Sequence, residues 1–361
     1  MTILPYDKRH SKNKPENSQT ETMKKETILS IQPIDFILPV SDPFLFCAHH
    51  FDRYPKGNIE MGPVASLKGR DIGQDFTVKD GWRMYHGETV PGFPEHPHRG
   101  FETITIVLQG FVDHADSHGQ AGRYGNGDVQ WMTAGAGLQH SEMFPLLHTD
   151  QENPCELFQI WLNLPKAKKF AEPHFKMLWA EDIPQKLLTD SKGKRTVVRV
   201  IAGHYADLKA LAPAPDSWAA NPANEVAIWT VSMEAGASWV IPAADEMAGR
   251  RLYFYRGNSL IINGTEVAPE HAIEVSANEE LHIVNGTQDG YLLLLQGKPI
   301  NEPVVQYGPF VMNTRTEIQE AMEDYQRTQF GGWPWPGRDQ VHPREKGRFA
   351  THLDGTVENR G

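Results

Sequence analysis

The sequence predicts an all-β protein of two successive barrel-like units, closed by one short C-terminal helix. Three observations carry that expectation. Short apolar runs rich in β-branched and aromatic residues recur along most of the chain. Gly, Pro, Asn and Asp punctuate them at the spacing of a sandwich or barrel. A charged, proline-interrupted stretch near the middle divides the runs into two groups of similar size. At 361 residues the chain is long enough for two domains.

Taken in order, the first 26 residues, MTILPYDKRHSKNKPENSQTETMKKE, have too few apolar side chains to offset their ordering entropy. With no apolar stretch or small-residue cleavage site behind the basic residues, they read as a solvated, disordered tail over 1–30 rather than a secretory signal. The first unit is expected over 31–164, with strands in FETITIVLQG, GDVQWMTAG and CELFQIWLNL. Residues 165–196, broken by Pro165, Pro173 and Pro184, read as the connection. The second unit, 197–330, offers RTVVRVIAG, EVAIWTVSM, RLYFYRG and YLLLLQG, with a hairpin turn at Asn263-Gly264. Thr314 and Glu317 form a capping box, and Ile318, Ala321, Met322 and Tyr325 follow at helical spacing. Beyond Gly331-Gly332, residues 331–361 show no periodicity and read as an extended tail that can be trimmed without loss.

Composition narrows the function. A net charge of −11 and a pI near 5.8 lack the basic footprint of a nucleic-acid binder. No apolar run approaches the roughly 20 residues of a spanning helix, so no membrane partner is expected. Cys47 and Cys155 are too few for a disulfide framework and read as core residues, which fits a reducing cytoplasm.

The chemistry concentrates in two short segments. His96 and His98 are two apart at the start of a strand, so both imidazoles share a face about 7 Å apart along the chain. Pro97 between them places the pair at a strand start or edge. Forty-two residues after His98, His140 and Glu142 repeat the spacing of two. Three imidazoles and one carboxylate on inward faces of two strands make a site for a catalytic first-row metal. The same parity brings Glu102 toward the interior and nominates Gln130, Met132 and Ile104 as pocket lining. His49 and His50 are adjacent and cannot both enter one site. They, like His86, His114, His118, His174, His271 and His282, read as surface or satisfied core histidines, which leaves the second unit structural.

These segments resemble a known family. HPHRGFETITIVLQG, GDVQWMTAGAGLQHSEM, LFQIWLNLP with EPHF, EPVVQYGPFVMNTRTEI, and SDPFLFCAHHFD look like the successive signature blocks of pirins across most of residues 30–330. The resemblance implies a bicupin, two cupin-type β-barrels of which only the N-terminal one is metallated. It implies one Fe(2+) per chain, held by His96, His98, His140 and Glu142. The general cupin pattern would nominate Glu102 instead, so Glu102 is kept as a residue that could orient a histidine. By affinity order alone copper would be preferred, and other divalent metals remain open; iron rests on the resemblance. Some pirins resemble quercetin 2,3-dioxygenases, in which dioxygen adds across a flavonol with release of carbon monoxide. On that pattern the partners are a small aromatic substrate and O2, and Glu142 is catalytic, shuttling the flavonol proton. Pirins are also described as iron- and redox-responsive coregulators, which implies a protein partner instead.

Overall fold

A computed structural model describes residues 27–361; most of the expected N-terminal tail lies outside the described residues. Two antiparallel barrels account for nearly all of it. Strands β1 (Ile28–Pro33), β2 (Phe44–Tyr54), β3 (Gly92–His98), β4 (Phe101–Gln109), β5 (Phe111–Asp116) and β6 (Ala121–Gly125) open the chain. They are followed by β7 (Val129–Thr133), β8 (Leu138–Met143), β9 (Asn153–Asn163), β10 (His174–Leu178), β11 (Gln185–Thr189) and β12 (Arg195–Ala202).

The first barrel sets a five-stranded sheet, ordered β10-β7-β4-β9-β2, against a second sheet containing β6-β5-β8-β3. The second barrel sets a seven-stranded sheet against a four-stranded one. The five-stranded sheet is buried on both faces. Ile104, Ile106, Trp131, Phe158 and Ile160 pack against Ile201, Ile228, Tyr253 and Leu293 of the second barrel. Their neighbours Val107 and Leu157 face the first barrel's interior, among Tyr124, Phe175 and Met177. A strand covered on both sides has no polar face, which is why FETITIV reads as a run rather than an alternation. The second barrel is filled by Val198, Trp229, Trp239, Leu252, Phe254, Leu260 and Leu294.

The passage from β3 to β4 matters most for the site. His98 ends one sheet, Phe101 begins the other, and Arg99-Gly100 turns the corner. Gly100 has φ +86°, and a Cβ there would stand 2.0 Å from the Val311 carbonyl oxygen, so only glycine fits. Arg99 locks the corner by donating to the Ala136 carbonyl at 2.6 Å and to Asp324 at 2.5 Å. Asp324 lies on α1 (Arg315–Thr328), which starts as expected: the Thr314 hydroxyl accepts from the Glu317 amide, and Ile318 and Ala321 are buried.

Both ends of the chain depart from the sequence reading. Ile28–Pro33, divided there between the tail and the first unit, is an edge strand of the second barrel, paired with His271–Ser276. The stretch 165–196 is not a bare connection, because it supplies β10 to the first barrel and β11 to the second. The residues after Gly331 are not a free tail. Phe349–Thr351 pairs with β6 and with Val357–Asn359, adding two strands to the first barrel. Arg123, fully buried and paired through its Nε and Nη2 with both oxygens of Asp113 at 2.7 Å, donates to the carbonyls of His342, Pro343 and Lys346. Carbonyls collected by a buried arginine leave no periodic trace in a sequence, so composition could not show that this segment docks.

Trimming the C-terminal segment therefore destabilises the protein. The Phe349 ring is 1% exposed, and Phe349→Ala is expected to lower the unfolding free energy by about 3 kcal/mol in urea titrations. A change below about 1 kcal/mol, the scale of a surface substitution, would show that the segment does not pack as described.

Candidate metal centre

Strands β3 and β8 pair in antiparallel register with His96 directly opposite His140. His98, two residues on, shares the inward face. The ligand-capable nitrogens of His96, His98 and His140 lie within 4.8 Å of one another. Each of the first two rings is oriented by a backbone carbonyl: His96 Nδ1 lies 2.9 Å from Pro94 O, and His98 Nδ1 lies 3.3 Å from Pro309 O. Carbonyls can only accept, so each Nδ1 carries the proton and each Nε2 keeps a free lone pair. Both nitrogens of His140 are buried without a hydrogen-bond partner among the described residues. Burial holds all three imidazoles neutral, with His96 pushed down to about 4 and the other two well below the ordinary value of 6.5. The neutral ring is the form that binds a metal.

Glu142 completes the cluster, with one carboxylate oxygen 3.7 Å from His140 Nε2. The other oxygen lies 3.0 Å from the Thr105 hydroxyl, and Gln159 donates to the first at 3.3 Å. Thr105 also lies 2.6 Å from Gln159 Oε1, and its one proton can serve only one of the two acceptors at a time. Burial raises the Glu142 carboxyl above its ordinary range, against the opposing effects of His114, Thr105 and Gln159. A divalent ion among these groups would supply the missing partner for His140 and the charge that Glu142 lacks. The residues present fit such an ion.

A cavity of about 380 Å³ opens on His96, His98 and Glu142. Phe36, Phe46, Phe76, Phe93, Phe144 and Trp161 form its walls, with Thr105, Gln159 and His50 as further polar members.

The structure corrects several sequence expectations. Glu102 does not face the cluster. It lies on the opposite side of β4, accepting a hydrogen bond from Thr133 at 2.7 Å while its second oxygen is buried without a partner. Ile104 is in the inter-barrel core. Gln130 accepts from the Tyr124 hydroxyl at 3.1 Å, and Met132 packs with Ala134 and Leu138; neither lines the cavity. Parity counted from His98 failed because the corner at Arg99-Gly100 moves the chain from one sheet to the other and resets the inward face. Counting from Phe101 would have nominated Thr105. The aromatic walls were missed although Phe46 and His50 sit at even spacing on one strand. Two histidines read as satisfied are not: His50 and His114 each bury an unpartnered Nδ1, and the His114 ring is 5.6 Å from that of His140. His49 does find a partner, Glu156 at 3.0 Å.

Known proteins resemble this chain over most of its length. The family model described as Pirin matches residues 61–162, and that of the Pirin C-terminal cupin domain matches 228–331. A Pseudomonas aeruginosa protein named "Putative quercetin 2,3-dioxygenase" is 37% identical over 242 residues, covering 66% of this chain and 79% of its own. Pirin-1 of Arabidopsis thaliana is 34% identical over 256 residues, covering 66% and 78%. The crystal structure of quercetin 2,3-dioxygenase from Acinetobacter baumannii superposes with a TM-score of 0.64 at 29% identity, over 85% of this chain and 98% of that one.

The Glu102 carboxyl gives a pH-dependent test of its placement. Burial lifts it from 4.5 to about 7, against the Thr133 hydroxyl. The folded chain then binds this proton more tightly than the unfolded one, so the contribution is full below the unfolded value and is lost as pH rises through about 7. Glu102→Gln, which keeps the acceptor for Thr133, should raise the unfolding free energy at pH 8 by up to about 3 kcal/mol, and far less at pH 5. Denaturation midpoints at the two pH values check this; an equal effect at both would place the carboxyl in contact with solvent.

Proposed function

The chain belongs to the pirin family, and from that premise we propose that it is a metal-dependent dioxygenase acting on flavonols such as quercetin, with one iron ion held by His96, His98, His140 and Glu142. The observation that carries the reading is a cluster of three neutral imidazoles, two of them oriented by backbone carbonyls, beside an aromatic-walled cavity that opens on His96, His98 and Glu142. A cavity with mainly apolar walls and a few convergent polar groups is the ordinary form of a small-ligand site. The relatives and the solved structure named as quercetin 2,3-dioxygenases support the reaction class.

Iron bound there would acidify a coordinated hydroxyl and hold an oxidisable ligand beside dioxygen. The protein's own groups account for the rest. Phe46, Phe93 and Trp161 present ring faces and edges that orient a planar aromatic and keep water from it. Glu142 is the proton acceptor within reach of the cluster. Thr105 and Gln159 hold its oxygens in place, where it can take a proton from a flavonol hydroxyl. When Glu142 is protonated it can in turn donate to Thr105, so the same contacts serve both forms.

Iron-loaded protein is expected to consume oxygen with quercetin and to stop when a chelator removes the metal. His140→Ala should empty the site and abolish uptake. No uptake with several flavonols on a filled ferrous site would contradict the enzyme reading and favour a protein that acts through a partner. Chelator competition separates the two glutamates: Glu142→Gln should weaken iron binding, whereas Glu102→Gln leaves it within about twofold, below the 10–100-fold typical of losing a group that orients a ligand. An emptied site in Glu102→Gln would overturn the ligand set.

A further inference from the structure

We propose that His50 is the recognition residue for the end of the ligand that does not touch the metal, pairing with a phenolic hydroxyl of a planar aromatic. The proposal rests on the flavonol reading above and goes beyond it by naming what selects among flavonols. His50 lies on β2, 4% exposed, and lines the cavity. Its ring is enclosed by other rings: Phe36 at 4.8 Å, Tyr85 at 5.0 Å, Phe93 at 5.9 Å and Phe144 at 6.2 Å between centroids. Phe36, Phe93 and Phe144 meet it edge to face and offer no hydrogen-bonding group. The Tyr85 hydroxyl is committed to Asp52 at 2.6 Å, which also accepts from Arg83 at 3.0 Å. His50 Nδ1 is therefore buried with no partner among the described residues.

A buried polar atom without a partner is unfavourable and rare, and a site that keeps one is a place to look for a missing ligand. Phenylalanine would fill this aromatic box without that penalty. Burial, with Arg83 nearby, keeps the imidazole neutral near pH 7. It then offers one N–H and one lone pair, and because Nδ1 is sealed by its neighbours, Nε2 is the nitrogen a phenolic hydroxyl in the cavity would meet. Position decides which part of the ligand is read. Phe93 neighbours both histidines, its ring 6.4 Å from that of His96 and 5.9 Å from that of His50, and all three line the one cavity. A ligand whose oxygen edge meets the histidine cluster and whose ring lies along Phe93 would bring its remote hydroxyl to His50.

Quercetin and 3-hydroxyflavone test this, since both keep the 3-hydroxy-4-keto edge and only quercetin carries further hydroxyls. Affinities are measured anaerobically on iron-loaded protein, with iron per chain determined for every variant. The wild type should prefer quercetin by on the order of tenfold, the scale of one satisfied polar group. His50→Phe should erase that preference by weakening quercetin alone, at unchanged iron content. His50→Gln, which keeps a donor and an acceptor, should retain part of it. His50→Leu is read in the same way should the phenylalanine variant fail to fold. A preference that survives in the Phe or Leu variant overturns the proposal, as does an equal loss for both flavonols or equal wild-type affinities. Wild-type protein that binds neither flavonol overturns the flavonol reading itself, a result distinct from any of these.

Discussion

The pairing of β3 with β8 sets His96 across from His140, and the rest of the site depends on that register. Side chains alternate along a strand, so a slip of β3 by one residue against β8 would turn His96 and His98 out of the barrel and leave His140 and Glu142 behind. β8 is held on its other edge by β5, where Glu142 stands opposite His114 and His140 opposite Asp116. The register is thus fixed from both sides. Its price is a floor of imidazoles whose charged forms are excluded and whose third member has no protein partner. Such a floor is unfavourable as folded protein alone, and a bound cation would offset it.

The second half of the chain works on the first from outside the cavity. The Pro309 carbonyl orients His98, Val311 packs against Gly100, and Asp324 of α1 clamps Arg99. Gln139, between the histidine and the start of β8, accepts from the Tyr325 hydroxyl and donates to the Gln329 carbonyl. Arg338 exchanges hydrogen bonds with Glu95, one residue before His96. The N-terminal strand meanwhile completes the second barrel, so each barrel is finished by an end of the chain that begins or ends with the other. The second barrel's interior is packed with aliphatic and aromatic side chains.

Much of this was legible in the sequence. HxH and HxE at strand spacing nominated His96, His98 and His140, which the structure brings together, because a period of two survives wherever a strand stays in one sheet; Glu142 was preferred to Glu102 on the family resemblance. The helix after Thr314 was legible because capping and a 3–4 apolar pattern are local. Glu102 and Ile104 were misplaced because the count crossed a corner where the chain changes sheets, and a single glycine does not announce which way the face turns; Gln130 and Met132 pair opposite Thr105 and Thr103 on the inward face but stand outside the cavity lining. The C-terminal segment was invisible for another reason. It is held by backbone carbonyls on Arg123 and by one buried ring, and neither is periodic. His50 could not be separated from ordinary core histidines until the rings around it showed that nothing satisfies it.

The central claim is that one metal ion sits among His96, His98, His140 and Glu142. Anomalous diffraction at the iron absorption edge, from crystals of the iron-loaded full-length protein, tests it most directly. The account predicts one strong peak per chain, within bonding distance of the Nε2 atoms of the three histidines and of a Glu142 oxygen. A peak beside Glu102, a peak inside the second barrel, or no peak in fully loaded protein would contradict it.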